Sequence, residues 1–155
     1  MRAPTPATPW AVELSLLIVR VVVGTIMFLH GAQKTFGWFE GPGLLKLGEM
    51  FAEMGVPKVI AYLTAIGECF GGAGIIVGFL CRFSAASNIV IMLGAIWTLH
   101  GANGFFADVG GFEYNLALIG LLIPPLLLGP GRISIGRFLP LPKAAGEDRP
   151  IAWLE

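Results

Sequence analysis

The chain has 155 residues, of which 55% are hydrophobic and 13% are charged. Soluble domains average about 45–50% apolar and about 25% charged residues, so this composition excludes an ordinary soluble domain and indicates a membrane protein. The formal net charge is zero, which gives no electrostatic basis for nucleic acid as a partner. The lipid bilayer is therefore the first partner that the sequence predicts.

Four apolar segments are long enough to cross a hydrocarbon core of about 30 Å. They lie at about 11–30, 58–80, 83–100 and 112–128. The first contains Glu13 and Arg20 and is followed by no small-residue cleavage pattern, so we interpret it as a retained helix and not as a signal peptide. The sequence thus predicts an all-α membrane protein in which residues 11–132 form a bundle of four transmembrane helices.

The segments outside the four spans differ from them in composition. Residues 1–10 are rich in Pro, Thr and Ala and are predicted to be a disordered tail, and residues 133–155 form a Pro-rich tail. In the loop after the first span, apolar residues recur near the helical period, which predicts a short amphipathic helix in the membrane interface. Its apolar positions are Leu44, Leu45, Leu47, Met50, Phe51 and Met54.

The lysines and arginines of the connecting segments predict the orientation. The two tails and the second connection contain six, and the two opposite loops contain three: Arg2, Arg82, Arg132, Arg137, Lys143 and Arg149 against Lys34, Lys46 and Lys58. Because positive residues favour the cytoplasmic side, we expect both termini in the cytoplasm and the loops after the first and third spans on the outer side.

A short motif recurs at the outer ends of the first and third spans. His30-Gly-Ala-Gln33 is matched seventy residues later by His100-Gly-Ala-Asn103, and a span that contains a glutamate follows each copy. This recurrence suggests an internal duplication. Two parallel helix hairpins would then bring the two histidine corners together across a pseudo-twofold axis.

Charged residues inside membrane spans are costly and are therefore candidates for function. Arg20 lies near the middle of the first span, and Glu68 lies in the outer half of the second. We expect either an ion pair between them that joins the first two helices or a functional role, and these two interpretations are compatible.

Four titratable residues are candidates for one outward-facing catalytic site: His30, Glu68, His100 and Glu113. Imidazole and carboxylate groups suit a transition metal, but the Glu-x-x-His pairs of di-iron bundles are missing, so no metal ligands are assigned. Alternatively, a histidine and a carboxylate at the membrane boundary could hydrogen-bond the carbonyls of a quinone and exchange protons with it. In a third interpretation each histidine only caps the C-terminus of a helix.

The motifs occur in the same order in one known family. The segment from His30, which reads His-Gly-Ala-Gln-Lys-Thr-Phe-Gly-Trp-Phe with Gly-Pro-Gly after it, resembles the most distinctive segment of the DoxX family of small bacterial membrane proteins. The resemblance extends over about 14–137. Further matching positions are Arg20, the Ile-Gly-Glu-Cys-Phe-Gly-Gly around Glu68, the His-Gly-Ala-Asn-Gly-Phe-Phe at His100, the Gly-Gly-Phe-Glu-Tyr that ends at Tyr114, and the Gly-Pro-Gly-Arg that ends at Arg132.

The resemblance implies a function in redox chemistry. The family is similar to the quinone-reducing membrane subunit of thiosulfate:quinone oxidoreductase, so we expect a quinone-interacting subunit of a redox complex in the bacterial inner membrane. No CxxC motif and no soluble sulfur-binding domain occur in the chain, so such a role would require other membrane subunits, or further copies of the chain, as partners. Besides Arg20, which we expect to position Glu68, the candidate cofactor-binding residues are Gln33, Trp38, Asn103 and Tyr114.

Two other functions compete with this expectation. The chain could be a non-catalytic accessory subunit that packs against a larger membrane complex and stabilises it, with Trp38 as one of its interfacial aromatic anchors. A small-solute transporter is the third class, although four spans are few for a transporter and would have to oligomerise.

Overall fold

A computed structural model describes residues 10–136 of the chain. The predicted N-terminal tail therefore lies outside the described residues except for Trp10, and most of the C-terminal tail lies outside them too. Within the described range the secondary structure is entirely helical. The α-helices are α1 (Trp10–Phe36), α2 (Gly43–Glu53), α3 (Lys58–Val77), α4 (Cys81–Ala95) and α5 (Glu113–Leu128).

Three helical stretches are long and apolar enough to cross a membrane, and the fourth is shorter. The three are Trp10–Phe36, Lys58–Val77 and Cys81–Asn103, in which α4 continues through a π-helical turn at Ile96–His100 and a short 3-10 turn. Helix α5 has 16 residues and is about 24 Å long. The predicted apolar segments and the observed helices thus coincide closely, with one difference that matters for the site.

That difference is the end of α1. The sequence predicts that the first span ends at residue 30, but α1 continues to Phe36. Gly37, whose φ is 71°, then ends the helix. Gln33 and Lys34 are therefore helical residues and not loop residues. Gly31 stays helical because it packs against the backbone of Cys69, and Ala32, Gln33 and Lys34 after it are good helix formers, so the helix continues to Phe36.

Glycines bring α1 and α3 together along an antiparallel contact. An added Cβ on Gly24 would meet Gly72 O at 2.9 Å and Ile76 Cγ1 at 2.7 Å, and one on Gly31 would overlap the backbone of Cys69. Helices in membranes approach this closely only where small residues line the interface.

The remaining helices complete a ring in the order α1, α3, α4, α5. Small residues also bring α3 and α4 together, because a Cβ on Gly74 would meet Ser84 Oγ at 2.8 Å. Larger side chains fill the interior, which is a single apolar cluster built from Val23, Met27, Ile75, Ala85, Met92, Leu118 and Leu122. We call the end of the bundle where α1 ends and α3 and α5 begin the corner end.

Arg20 lies toward the opposite end of the bundle, and its contacts overturn the predicted ion pair with Glu68. Its guanidinium donates to Ile75 O and Ile76 O, both at 2.9 Å, near the end of α3. It also donates to Pro130 O, and to Ile133 O at 2.9 Å. Because backbone carbonyls left open at helix ends are good acceptors, the buried cation is satisfied without a carboxylate.

The two carbonyls beyond α5 belong to residues 129–136, which we call the strap. The strap lies against α1 and α3, where Ile135 N donates to Val77 O at 2.9 Å and Gly136 N donates to Gly78 O at 3.1 Å. Glu13, which is buried, accepts a 2.7 Å hydrogen bond from the backbone nitrogen of Arg132. The strap thus closes the bundle at the end remote from the corner end.

Candidate functional site

The charged pair of the corner end joins Lys34 on α1 to Glu68 on α3. Lys34 Nζ lies 2.6 Å from Glu68 Oε1 and 2.5 Å from Glu68 Oε2. The side chain of Glu68 is 1% exposed and that of Lys34 is 29% exposed. The close approach of α1 and α3 at Gly31 brings the two side chains within reach, because Gly31 lies one turn before Lys34 and packs against Cys69, the neighbour of Glu68.

The pair neutralises a carboxylate that would otherwise be buried alone at great cost. An ammonium group has three donors, and the bidentate contact with Glu68 uses two of them. The partial exposure of Lys34 leaves its third N–H available to a hydrogen-bond acceptor that approaches from outside the helix contact.

His30 and Tyr114 adjoin this pair. His30 precedes Lys34 by four residues on α1, so the two side chains lie on the same face of the helix. The imidazole faces the ring of Tyr114, with the ring centroids 6.2 Å apart and the planes at 57°. Both side chains are exposed, with Tyr114 at 45%. Three helices therefore contribute neighbouring polar groups, His30, Lys34, Glu68 and Tyr114, which we call the corner site.

His100 and Glu113 are engaged elsewhere, in the loop between α4 and α5. His100 Nδ1 lies 2.8 Å from Gly110 O, to which Asn103 Nδ2 also donates at 3.2 Å. Glu113 Oε2 accepts a 3.0 Å hydrogen bond from Ala107 N. These contacts give the three side chains a role in holding the loop, which the sequence did not predict.

The remaining predicted cofactor-binding residues on α1 and just after it are Arg20, Gln33 and Trp38. Trp38 packs between Phe28 and Phe36, with ring centroids 6.3 and 5.6 Å away. Gln33 O accepts the backbone N–H of Gly37 at 3.2 Å, at the end of α1. Arg20 lies at the opposite end of the bundle, where it donates to carbonyls of the strap.

The structure does not bring the two histidine corners together as one metal site. In the part of the chain that the structure describes, no group of three His, Cys, Asp or Glu side chains is placed to hold a metal ion. The contacts of His30 and of His100 are with different residues, Tyr114 and Gly110. The grouping of His30, Glu68, His100 and Glu113 in one catalytic site stays a prediction; the contacts join Glu68 to Lys34 and His30 to Tyr114, and they join His100 and Glu113 to the loop before α5.

Lys34 is the site residue that sequence reasoning missed. It was counted only among the charges of a loop, because the first span was ended at residue 30. Two signals could have found it: its spacing of four residues from His30, and the run of good helix formers from Ala32 to Lys34 that follows Gly31.

Chemically, the corner site combines a cation, a carboxylate, an imidazole and a phenol at the edge of an apolar bundle. The ammonium can donate to a carbonyl oxygen, and the imidazole offers one donor and one acceptor nitrogen when neutral. Such a set fits a neutral ligand with carbonyl acceptors better than it fits a metal ion, for which ligand groups would have to converge.

Comparisons with known proteins agree with this membrane architecture. The DoxX family model matches residues 15–101. The Bacillus subtilis (strain 168) protein named "Putative oxidoreductase CatD" is 31% identical over 106 residues, which cover 68% of this chain and 74% of the relative. The Escherichia coli (strain K12) "Inner membrane protein YqjF" is 29% identical over 129 residues, which cover 82% of this chain and 93% of the relative.

A third relative has no function in its name. It is the "Uncharacterized membrane protein Rv3486" of Mycobacterium tuberculosis (strain ATCC 25618 / H37Rv), which is 29% identical over 137 residues, 81% of each chain. No solved structure matches the chain.

Proposed function

The chain belongs to the DoxX family of membrane proteins, and from that premise we propose that it is a quinone-interacting subunit of a membrane redox complex. The observation that carries the proposal is the Lys34–Glu68 pair, which holds a partly exposed ammonium donor beside an apolar bundle. The relative named as an oxidoreductase supports a redox role, and the relative named as an inner membrane protein supports its location.

A quinone head group matches the corner site in its chemistry. It is neutral and flat, and its carbonyl oxygens accept hydrogen bonds; when bound, it takes up two electrons and two protons. Lys34 would donate its free N–H to one carbonyl oxygen, while the aromatic ring of Tyr114 would border the flat face.

The chain's own residues have separate roles in this proposal. Glu68 orients the Lys34 ammonium by its two contacts of 2.5 and 2.6 Å. His30 is exposed and lies one turn from Lys34, so it can pass protons between the site and water. His100 and Glu113 position the neighbouring loop and, through it, the start of α5 at Tyr114.

The proposal includes a placement in the bilayer. We place α1, α3, α4 and α5 across the membrane, with both termini in the cytoplasm as the arginines and lysines favour. The corner site then lies at the outer boundary. Helix α2, which packs Leu47 against Ala61 and Ala65 of α3, would lie in the outer interface. At about 24 Å, α5 would span a locally thinned bilayer.

The electrons require a second protein. A donor subunit on the outer side would deliver them to the quinone, while this chain binds the head group and supplies protons. We therefore expect the chain to work in a complex in the inner membrane of a bacterium.

The test is extraction of bound quinone from protein purified in mild detergent. The wild type should retain quinone. The affinity of Lys34→Met for quinone should be at least about tenfold lower, which corresponds to a loss of about 1.4 kcal/mol of binding free energy. Lys46→Met is the matched control, because Lys46 is an exposed lysine of α2 outside the site. Wild-type protein without quinone, or equal retention by Lys34→Met, would contradict the proposal.

If the chain is instead an accessory subunit without a catalytic role, the opposite result is expected for the activity of the complex. Its partner complex would keep full quinone reductase activity when Lys34 and Glu68 are replaced together by Met. Loss of activity with the complex still assembled supports the catalytic role, because assembly alone would be unaffected.

A further inference from the structure

One arginine near the end of the bundle that the strap closes has no partner. Arg82, in the first turn of α4, is partly buried, yet among residues 10–136 no group accepts a hydrogen bond from its guanidinium. Its Nε is shielded from solvent and unpaired, whereas its two Nη groups reach the surface. A guanidinium is always charged and carries five N–H donors, so leaving them without an acceptor in a partly buried position costs free energy. An acceptor from outside the described residues would offset this cost.

The charge at this end of the bundle is positive. The turn that joins α3 to α4 lies against the strap, because Gly136 N donates to Gly78 O at 3.1 Å. The described residues around the turn and the strap carry three cations and one carboxylate, which are Arg20, Arg82 and Arg132 against Glu13. Glu13 is already engaged by the backbone nitrogen of Arg132, and the carbonyls that bind Arg20 do not neutralise its charge. The positive end of the α4 dipole adds to this potential, so Arg82 is placed to attract an anion.

The surroundings of Arg82 favour a lipid over a free anion. Phe83, the next residue, is 57% exposed, and Val77, the last residue of α3, is 38% exposed. Both side chains lie at the ends of helical stretches that are long and apolar enough to cross a membrane, which is the depth at which lipid phosphates lie. An anionic lipid offers a phosphate to the guanidinium and hydrocarbon to the apolar side chains, whereas a free phosphate offers only the first.

We propose that Arg82 binds the phosphate group of an anionic lipid at the membrane boundary where α3 ends and α4 begins. The two Nη groups each donate to one phosphate oxygen, which is the bidentate geometry that a planar guanidinium presents. The acyl chains then lie along the exposed faces of Phe83 and Val77. This site is separate from the corner site, which lies at the other end of the bundle, so the inference does not depend on the quinone.

The experiment measures how tightly one lipid is held. Protein purified in mild detergent is titrated with phosphatidylglycerol, and the dissociation constant is read by native mass spectrometry. Arg82→Gln should weaken binding by at least about tenfold, because both the charge and the donor fork are lost. Arg82→Lys keeps the charge without the fork and should weaken binding by about threefold. Phosphatidylcholine, which has a phosphate but no net charge, should bind the wild type at least about tenfold more weakly than phosphatidylglycerol.

Lys58→Gln is the matched control, because Lys58 is an exposed cation at the start of α3, at the opposite membrane boundary. It should leave the affinity for phosphatidylglycerol within about twofold of the wild type. Circular dichroism of each variant verifies that it is folded. Equal affinities of the wild type and Arg82→Gln, or equal weakening by Arg82→Gln and Lys58→Gln, would overturn the site. Complete displacement of the lipid by millimolar inorganic phosphate would show that the ligand is the free anion and would overturn the assignment to a lipid.

Discussion

Lys34 and Glu68 form an ion pair across α1 and α3, with Nζ within 2.5 and 2.6 Å of the two carboxylate oxygens. Glu68 is almost completely buried, and Lys34 is the one partner that reaches the surface. The pair therefore serves both structure and function: it neutralises Glu68 inside the bundle and presents a donor at its edge.

The first prediction separates the structural role of the pair from its binding role. Lys34→Met leaves a buried carboxylate without a partner and should destabilise the protein by about 3–5 kcal/mol, whereas combining it with Glu68→Met should restore most of this stability. Thermal unfolding in one detergent, followed by circular dichroism, checks both. If the double variant is as unstable as Lys34→Met alone, the charge pairing does not explain the effect.

A second prediction concerns Arg20 and the strap. Arg20→Lys keeps the charge but cannot reach carbonyls of both α3 and the strap, so it should lower the free energy of unfolding by about 2–4 kcal/mol. The control is Arg132→Lys, because the side chain of Arg132 is largely exposed and should matter little. Limited proteolysis should also cut the strap faster in Arg20→Lys than in the wild type. Equal cutting rates would argue against strap docking by Arg20.

The third prediction tests the close contact of α1 and α3. Gly31→Ala places a methyl group in the backbone of Cys69 and should cost about 1–3 kcal/mol while separating Lys34 from Glu68. Gly120→Ala makes the same chemical change where nothing lies within 4 Å, and it should be neutral or slightly stabilising. Melting temperatures of the two variants, measured together, decide the matter. Similar melting temperatures would show that α1 and α3 are not in close contact at Gly31.

The fourth prediction assigns Glu113 to the loop and not to chemistry. Glu113→Ala removes the acceptor of the Ala107 N–H, so amide exchange in the loop should accelerate by about fivefold, as expected for the loss of a capping bond. Asp108→Ala changes an exposed carboxylate of the same loop and is the control. Hydrogen exchange followed by mass spectrometry reports the loop, and quinone retention should stay within about twofold of the wild type. Loss of quinone from a protein with normal exchange would return Glu113 to the catalytic residues.

The positions of the helices could be predicted from the sequence, but the partners of the buried charged residues could not. Apolar segment length located the helices, because lipid requires long uninterrupted helices and leaves a strong pattern. The partner of Glu68 was mistaken because Arg20 is the more conspicuous buried cation, and a sequence does not show that helix-end carbonyls already satisfy it.

The composition of the candidate site was only partly predictable for the same reason. His30 and Glu68 were predicted to be site residues from their positions and Tyr114 from the family resemblance, while His100 and Asn103 were included because they repeat the His30 motif. The motif repeats while the surroundings do not: the first copy lies inside α1, and the second ends in a π-helical turn and a loop. Identical residues therefore have different contacts.

The most direct test of the central claim is the infrared spectrum of a bound quinone labelled with carbon-13 at one carbonyl. A hydrogen bond from the Lys34 ammonium should shift that carbonyl stretch to lower frequency in the wild type. In the Lys34→Met and Glu68→Met double variant, the shift should disappear although the protein remains folded. An unshifted carbonyl in the wild type, or the same shift in the double variant, would contradict the assignment of Lys34 as the donor to the head group.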